Sequence, residues 1–170
     1  MTPEQISLIQ HNFERVAPQA EAVATVFYNR LFAMQPVLQL LFPADLTAQK
    51  KKLMTTLGLA IKTLDEPERL LPVLEDLGRR HALAGVRDEH YETVGVALLE
   101  TLRDALRGEF TAEAQLAWRQ MYGHIAAVMK RAARELAQNP GTAGGEFAET
   151  MKLPRLENAE CGRSARQERR

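Results

Sequence analysis

The 170-residue chain has a single cysteine, Cys161. No internal disulfide can form, and no Cys/His cluster has the spacing of a zinc site. Neither sign of charge is in excess: 22 basic residues stand against 22 acidic ones, interspersed, which argues against nucleic acid or an anionic membrane as partner. No apolar run approaches the roughly 20 residues needed to cross a bilayer. The opening MTPEQISLIQ has no basic region followed by an apolar stretch. The expectation is therefore a cytoplasmic protein without a membrane span. Strand signals are nearly missing, because β-branched residues are scattered and no Asn-Gly or Asp-Gly pair sits between alternating apolar residues. There are no internal repeats.

What is present is helical periodicity. Thr2-Pro3-Glu4-Gln5 predicts a capped start, with Ile6, Ile9, Phe13 and Val16 following at helical spacing. Pro18 opens a second helix with Ala20, Ala24, Phe27, Tyr28 and Leu31 inward, stopped at Gln35-Pro36. Leu38 to Phe42 forms a short apolar corner. A third helix over about 47–64 carries Leu53, Leu57, Ile61 and Leu64 as its stripe. Asp65-Glu66-Pro67 predicts a cap and a first-turn proline, and the next helix bears Leu70, Leu74, Leu77 and His81 on one face until Gly85 breaks it. Asp88 is expected to cap a helix that ends at Gly108. Thr111 starts the last one, with Trp118, Met121, Tyr122, Ile125, Met129, Ala132 and Leu136 along one side. From Pro140 onward the periodicity is lost in a stretch rich in Gly, Glu and Arg. This predicts one all-α domain over 1–139 and a disordered tail over 140–170. A body of roughly 140 residues buries about two-thirds of its unfolded surface, enough for a core and one enclosed ligand.

Of the four histidines, only His81 continues an apolar stripe. It reads either as a core histidine with both nitrogens satisfied or as a neutral imidazole bound to a metal, most readily haem iron. Periodicity does not separate the two. His90 and His124 read as surface residues.

Four segments, in order and at compatible spacing, are FYNRLFAMQPVLQLLF (27–42), QKKKLM (49–54), GRRHALAGVRDEHYETVGVALLETL (78–102) and AWRQMYGHIAAVMK (117–130). Together they resemble single-domain bacterial haemoglobins and the globin domain of flavohaemoglobins, over about residues 3–138. The connection from Phe42 to Gln49 is shorter than in flavohaemoglobins. The resemblance implies a globin fold, a three-on-three helical sandwich enclosing haem b, with His81 as the proximal iron ligand. It also implies that Phe42 packs against the porphyrin, that Tyr28 and Gln49 are distal hydrogen-bond donors, and that Leu53 walls the gas pocket. Lys52 would reach a haem propionate or solvent, or turn inward to the iron. Tyr91 and Glu135 would hydrogen-bond around the proximal histidine. By themselves these residues read more simply: Phe42 and Tyr28 as core, Tyr91 as ordinary packing, Gln49 and Glu135 as solvated.

Two functions follow from the resemblance. One is reversible binding of O₂, and of NO and CO, for storage, delivery or sensing. The other is NO dioxygenation, which would need a separate reductase, since 170 residues leave no room for a flavin and nicotinamide domain and no G-x-G-x-x-G follows a strand. A cofactor-free helical adaptor is the reading from a different class.

Overall fold

A computed structural model describes residues 1–139. The tail expected over 140–170, and Cys161 with it, lies outside the described residues. The helices are α1 (Pro3–Val16), α2 (Ala20–Met34), α3 (Thr47–Lys62), α4 (Pro67–Leu83), α5 (Asp88–Leu106) and α6 (Ala112–Gln138), with 3₁₀ turns at Ala17–Gln19, Pro36–Leu41 and Arg107–Glu109. Among the described residues there is no strand.

Helix starts follow from their first residues. The Gln5 N–H donates to Thr2 Oγ1 at 3.3 Å, and the Thr2 N–H donates to Gln5 Oε1 at 2.9 Å, closing a capping box. Thr111 Oγ1 accepts from the Ala114 N–H at 3.2 Å. Other ends differ from the pattern read in the sequence. Glu66 rather than Asp65 holds the cap position of α4, without a side-chain cap bond. Asp88 is the first helical residue of α5, and Arg87 precedes it. There the Arg87 N–H donates to His90 Nδ1 at 3.1 Å, so a histidine supplies the reach-back contact that a Glu or Gln usually makes. His90 is thus buried, at 5% exposure, and not the surface residue expected. α5 ends at Leu106, and the positive φ of 50° falls on Arg107 instead of Gly108.

The helices form two layers, α1, α3 and α4 over α2, α5 and α6. α4 lies along α6, α1 also packs on α6, α2 meets α3, and α2 and α5 pair within their layer. Ile9, Leu31, Leu102, Trp118 and Met121 fill the interior, each at most 1% exposed. Each contributes about 1.5–3 kcal/mol by leaving water. The indole N–H of Trp118 donates to Asn12 Oδ1 at 3.2 Å. Apolar periodicity gave Asn12 no role; its burial is explained by that one donor, which would otherwise be orphaned.

α4 approaches α6 at Gly78, where a Cβ would stand 2.4 Å from the Met129 carbonyl oxygen. Only glycine permits this approach. Leu70 and Leu74 of α4 then join Ala126 and Met129 of α6, with Tyr91 and Ala60, in a second apolar cluster, which fixes where the C-terminal half of α4 lies. Gly78→Ala is expected to lower stability by about 1–3 kcal/mol through overpacking. Gly123→Ala, in α6 with nothing within 4 Å of the added Cβ, is expected to raise it by up to about 1 kcal/mol through helix propensity. Urea midpoints of the two variants check the contrast.

Candidate functional site

α4 is amphipathic, with Leu70 and Leu74 buried, Leu77 half-buried, and His81 on the same face one turn further on. Pro72 lies inside the helix. It removes one N–H, and its exposed position leaves the freed carbonyl to water. His81 falls in the last turn. Its Nδ1 lies 2.9 Å from the Leu77 carbonyl oxygen, and because a carbonyl only accepts, Nδ1 carries the hydrogen. Nε2 is then the ring atom with the free lone pair. Burial lowers the His81 pKa; the Leu77 carbonyl opposes that shift, and the Arg80 charge adds to it. The imidazole is therefore held neutral, the form that binds metals.

The chain turn after His81 fixes its backbone. Gly85 has φ +85°, the left-handed conformation that glycine takes without a Cβ penalty. Its N–H donates to the Ala82 carbonyl at 3.0 Å, and the Val86 N–H donates to the His81 carbonyl at 2.9 Å. This is the paired closure of a helix end that needs glycine at the turning residue.

Tyr28, on the inner face of α2, is 2% exposed. Its ring packs edge-on to Phe42 at 5.5 Å and to Phe27 at 5.0 Å, and stands tilted to Phe32 at 5.8 Å. Burial pushes its phenol up to about 12, with the Gln49 side chain hydrogen-bonded to it and pulling the other way. Gln49 lies in the first turn of α3, half-buried, and Leu53 follows one turn later, also half-buried. Tyr28, Phe42, Gln49 and Leu53 are thus brought together. Lys52 is exposed.

The corner that carries Phe42 is tied to both neighbours. Thr93 Oγ1 donates to Gln35 Oε1 at 2.9 Å, linking the start of the corner to α5. A Leu41 methyl lies 3.6 Å from the Cβ position of Gly85, so the corner touches the turn behind His81.

On the other side of His81, the Tyr91 ring is 6.4 Å away, centroid to centroid. The Tyr122 hydroxyl donates to the Tyr91 carbonyl at 2.6 Å. Glu135 is not brought to this place. It is exposed, 3.7 Å from Arg131 in an i,i+4 pair, because Met129 and Ala132 take the buried face of α6 and turn Arg131 and Glu135 to solvent. Instead, Lys130 Nζ stands 5.4 Å from the Tyr91 ring centroid. Sequence periodicity passed over Lys130, Phe32 and His90. Phe32 carried the one readable signal, one turn after Tyr28 on the same helix face.

A haem needs one neutral imidazole with a free nitrogen, apolar walls and room between helices. His81 meets the first need. Phe32, Phe42, Leu53, Leu57, Leu77 and Val94, packed on the core yet only partly buried, meet the second. α3 and α4 follow each other in the chain but make no extended contact, as the third requires. These residues fit the group.

An all-α, two-layer protein with one histidine set against such walls belongs to a recognisable class of helical cofactor-binding folds. The family model described as Globin matches residues 25–129, and the chain belongs to the globin family. It is 32% identical over 129 residues to a flavohemoprotein of Bordetella parapertussis, covering 74% of this chain and 32% of that protein. It is 28% identical over 151 residues to a flavohemoprotein of Rhizobium meliloti, covering 87% and 38%. The chain spans about a third of the length of the curated relatives it matches. A solved bacterial globin from Campylobacter jejuni matches with a TM-score of 0.72 and 25% identity, covering 81% of this chain and 99% of that one. The fold is the globin fold, and these relationships imply haem binding.

All three tyrosines have raised phenols. Tyr28 and Tyr91 are pushed up to about 12 and Tyr122 is raised as well, burial being the main cause in each. Ionisation is thus penalised in the folded chain. The stability this gives is fully present below the ordinary value near 10 and is lost as pH rises through the folded values. Tyrosinate absorbance is expected only above about pH 11, together with loss of helical circular dichroism. Tyrosinate formed near pH 10 in a fully helical protein would contradict this burial.

Proposed function

We propose that the chain is a haem protein that binds a diatomic gas reversibly at ferrous iron, O₂ foremost, with NO and CO as further ligands. The observation that carries this reading is His81, an imidazole held neutral with Nδ1 bonded to the Leu77 carbonyl and Nε2 left as acceptor. Haem b, when bound, supplies the iron that holds the gas. His81 would take that iron through Nε2, and its Nδ1–H···O=C bond would fix the tautomer and the ring orientation. Phe42 and Leu53 would hold the macrocycle in place and keep water from it. The Tyr28 hydroxyl stays protonated through the neutral pH range and so remains a donor; the Gln49 amide beside it is a second. Hydrogen bonds to a ligand that gains negative charge contribute about 1.5–3 kcal/mol, roughly ten- to a hundredfold in dissociation rate. Lys52, exposed, suits a propionate or solvent. The roles that follow are oxygen storage, delivery or sensing. A reducing compartment such as the cytoplasm would keep the iron ferrous.

A second reading, NO dioxygenase, is supported by the similarity to flavohemoproteins and by the same Tyr28–Gln49 pair. It requires a reductase that returns the iron to the ferrous state after each cycle. The exposure of Glu135 speaks against it, since a carboxylate bonded to the proximal imidazole would push electron density toward the iron.

Tyr28→Phe is expected to keep haem and to speed O₂ release about ten- to a hundredfold, read by stopped-flow displacement with CO. An unchanged rate would remove Tyr28 from the distal role. NO consumption by the oxygenated protein is expected to stop at one NO per haem. Sustained turnover with a supplied reductase would favour the enzyme.

A further inference from the structure

Among the described residues, the charged groups near His81 and Tyr91 are unevenly compensated. Arg80, which acts on His81, is paired with Asp76. Asp88, which acts on the Tyr91 hydroxyl, is paired with Arg134. Arg131 is shared between Glu75 and Glu135. Lys130 is different. It is half-buried, no carboxylate stands within ion-pair distance of it among the described residues, and its ammonium lies over the Tyr91 ring at 5.4 Å. That ring is in turn 6.4 Å from the His81 ring, tilted by 33°. A cation over an aromatic face is attracted to the ring's negative face. Half-buried beside the second apolar cluster, which includes Tyr91 and Met129, its field is less screened than that of a surface lysine.

We propose that Lys130 is a positioning residue that acts through the Tyr91 ring on the His81 side of the site, its uncompensated charge holding the bound iron toward the ferrous state. This rests on the haem-binding reading above. The sign follows from charge alone. Ferric iron carries one more positive charge than ferrous iron, so a fixed cation nearby disfavours the oxidised form and raises the midpoint potential. The charge also opposes electron donation from the His81 imidazole, whose Nδ1–H meets a neutral carbonyl and no carboxylate. Both effects favour reversible gas binding over chemistry that cleaves an O–O bond, which draws on electron density pushed in from the proximal side.

Spectroelectrochemical titration of the haem-loaded protein tests this. Lys130→Met keeps most of the side-chain length and removes the charge, and its midpoint is expected to move to more negative potential. Lys130→Arg, which keeps the charge, is expected to stay close to the unsubstituted protein. Arg119→Met removes an exposed charge from the same helix, eleven residues and thus roughly 16 Å away, and is expected to shift the midpoint less than Lys130→Met. A second readout is the iron–histidine stretching band of the ferrous unliganded protein, expected to rise in frequency in Lys130→Met as the imidazole donates more strongly. An unchanged midpoint and band in haem-loaded Lys130→Met, or equal shifts from Lys130→Met and Arg119→Met, would overturn the role of Lys130 while leaving haem binding intact. Absence of a Soret band in the unsubstituted protein would overturn both.

Discussion

At Gly78 the backbone of α4 comes so close to α6 that a single methyl would strike the Met129 carbonyl. This approach sets the line of α4 against the α6 layer. Three residues later, in the last turn of the same helix, stands His81. The Gly85 turn then closes the helix on the His81 carbonyl, and the Leu77 carbonyl fixes the ring through Nδ1. Two glycines and one hydrogen bond thus decide where the free imidazole nitrogen lies. The remaining site residues reach it through elements that this crossing holds in place: Tyr91 through the cluster between α4 and α6, and Phe42 through the corner that touches Gly85.

The two sides of the site differ in character. Around Tyr28 the surroundings are aromatic and neutral, with a protonated phenol and an amide as polar groups. Behind His81 lie Tyr91 and the charge of Lys130. Donors aimed at a bound ligand slow its escape. In the proposed reading, a cation on the opposite side would restrain oxidation of the iron. The two arrangements would then act in one direction, toward a ligand that is held and released unchanged.

Most of the fold was legible because its signals are local. Thr2 with Gln5, Thr111, and Gly85 at the end of the His81 helix each announce a terminus through chemistry confined to a few residues. The apolar stripe of α4 could be traced to His81 for the same reason. What was not legible depends on partners distant in sequence or on competition between local signals. Asn12 is a polar residue on an apolar face, explained only by Trp118, 106 residues away. His90 looked like a surface histidine because nothing local marks Arg87 as the residue before the helix. Asp88 looked like a cap, since aspartate suits that position, yet the helix starts on it. Glu135 was placed behind His81 by resemblance, and the facing of α6 turns it to solvent while bringing Lys130 over Tyr91. A shift of a few positions along a helix moves a side chain to another face, so alignment to a family locates a helix more securely than it locates one carboxylate.

In the proposed reading His81 would hold haem iron through Nε2 and leave the iron open to a gas. The most direct test is the absorption spectrum of the ferrous, unliganded protein after haem is supplied, measured beside His81→Gly with and without added imidazole. The expected result is one haem per chain, a Soret band with a five-coordinate ferrous spectrum, its loss in His81→Gly, and its return with imidazole. A protein that takes up no haem, or a His81→Gly variant whose spectrum matches that of the unsubstituted protein, would rule out iron ligation by His81.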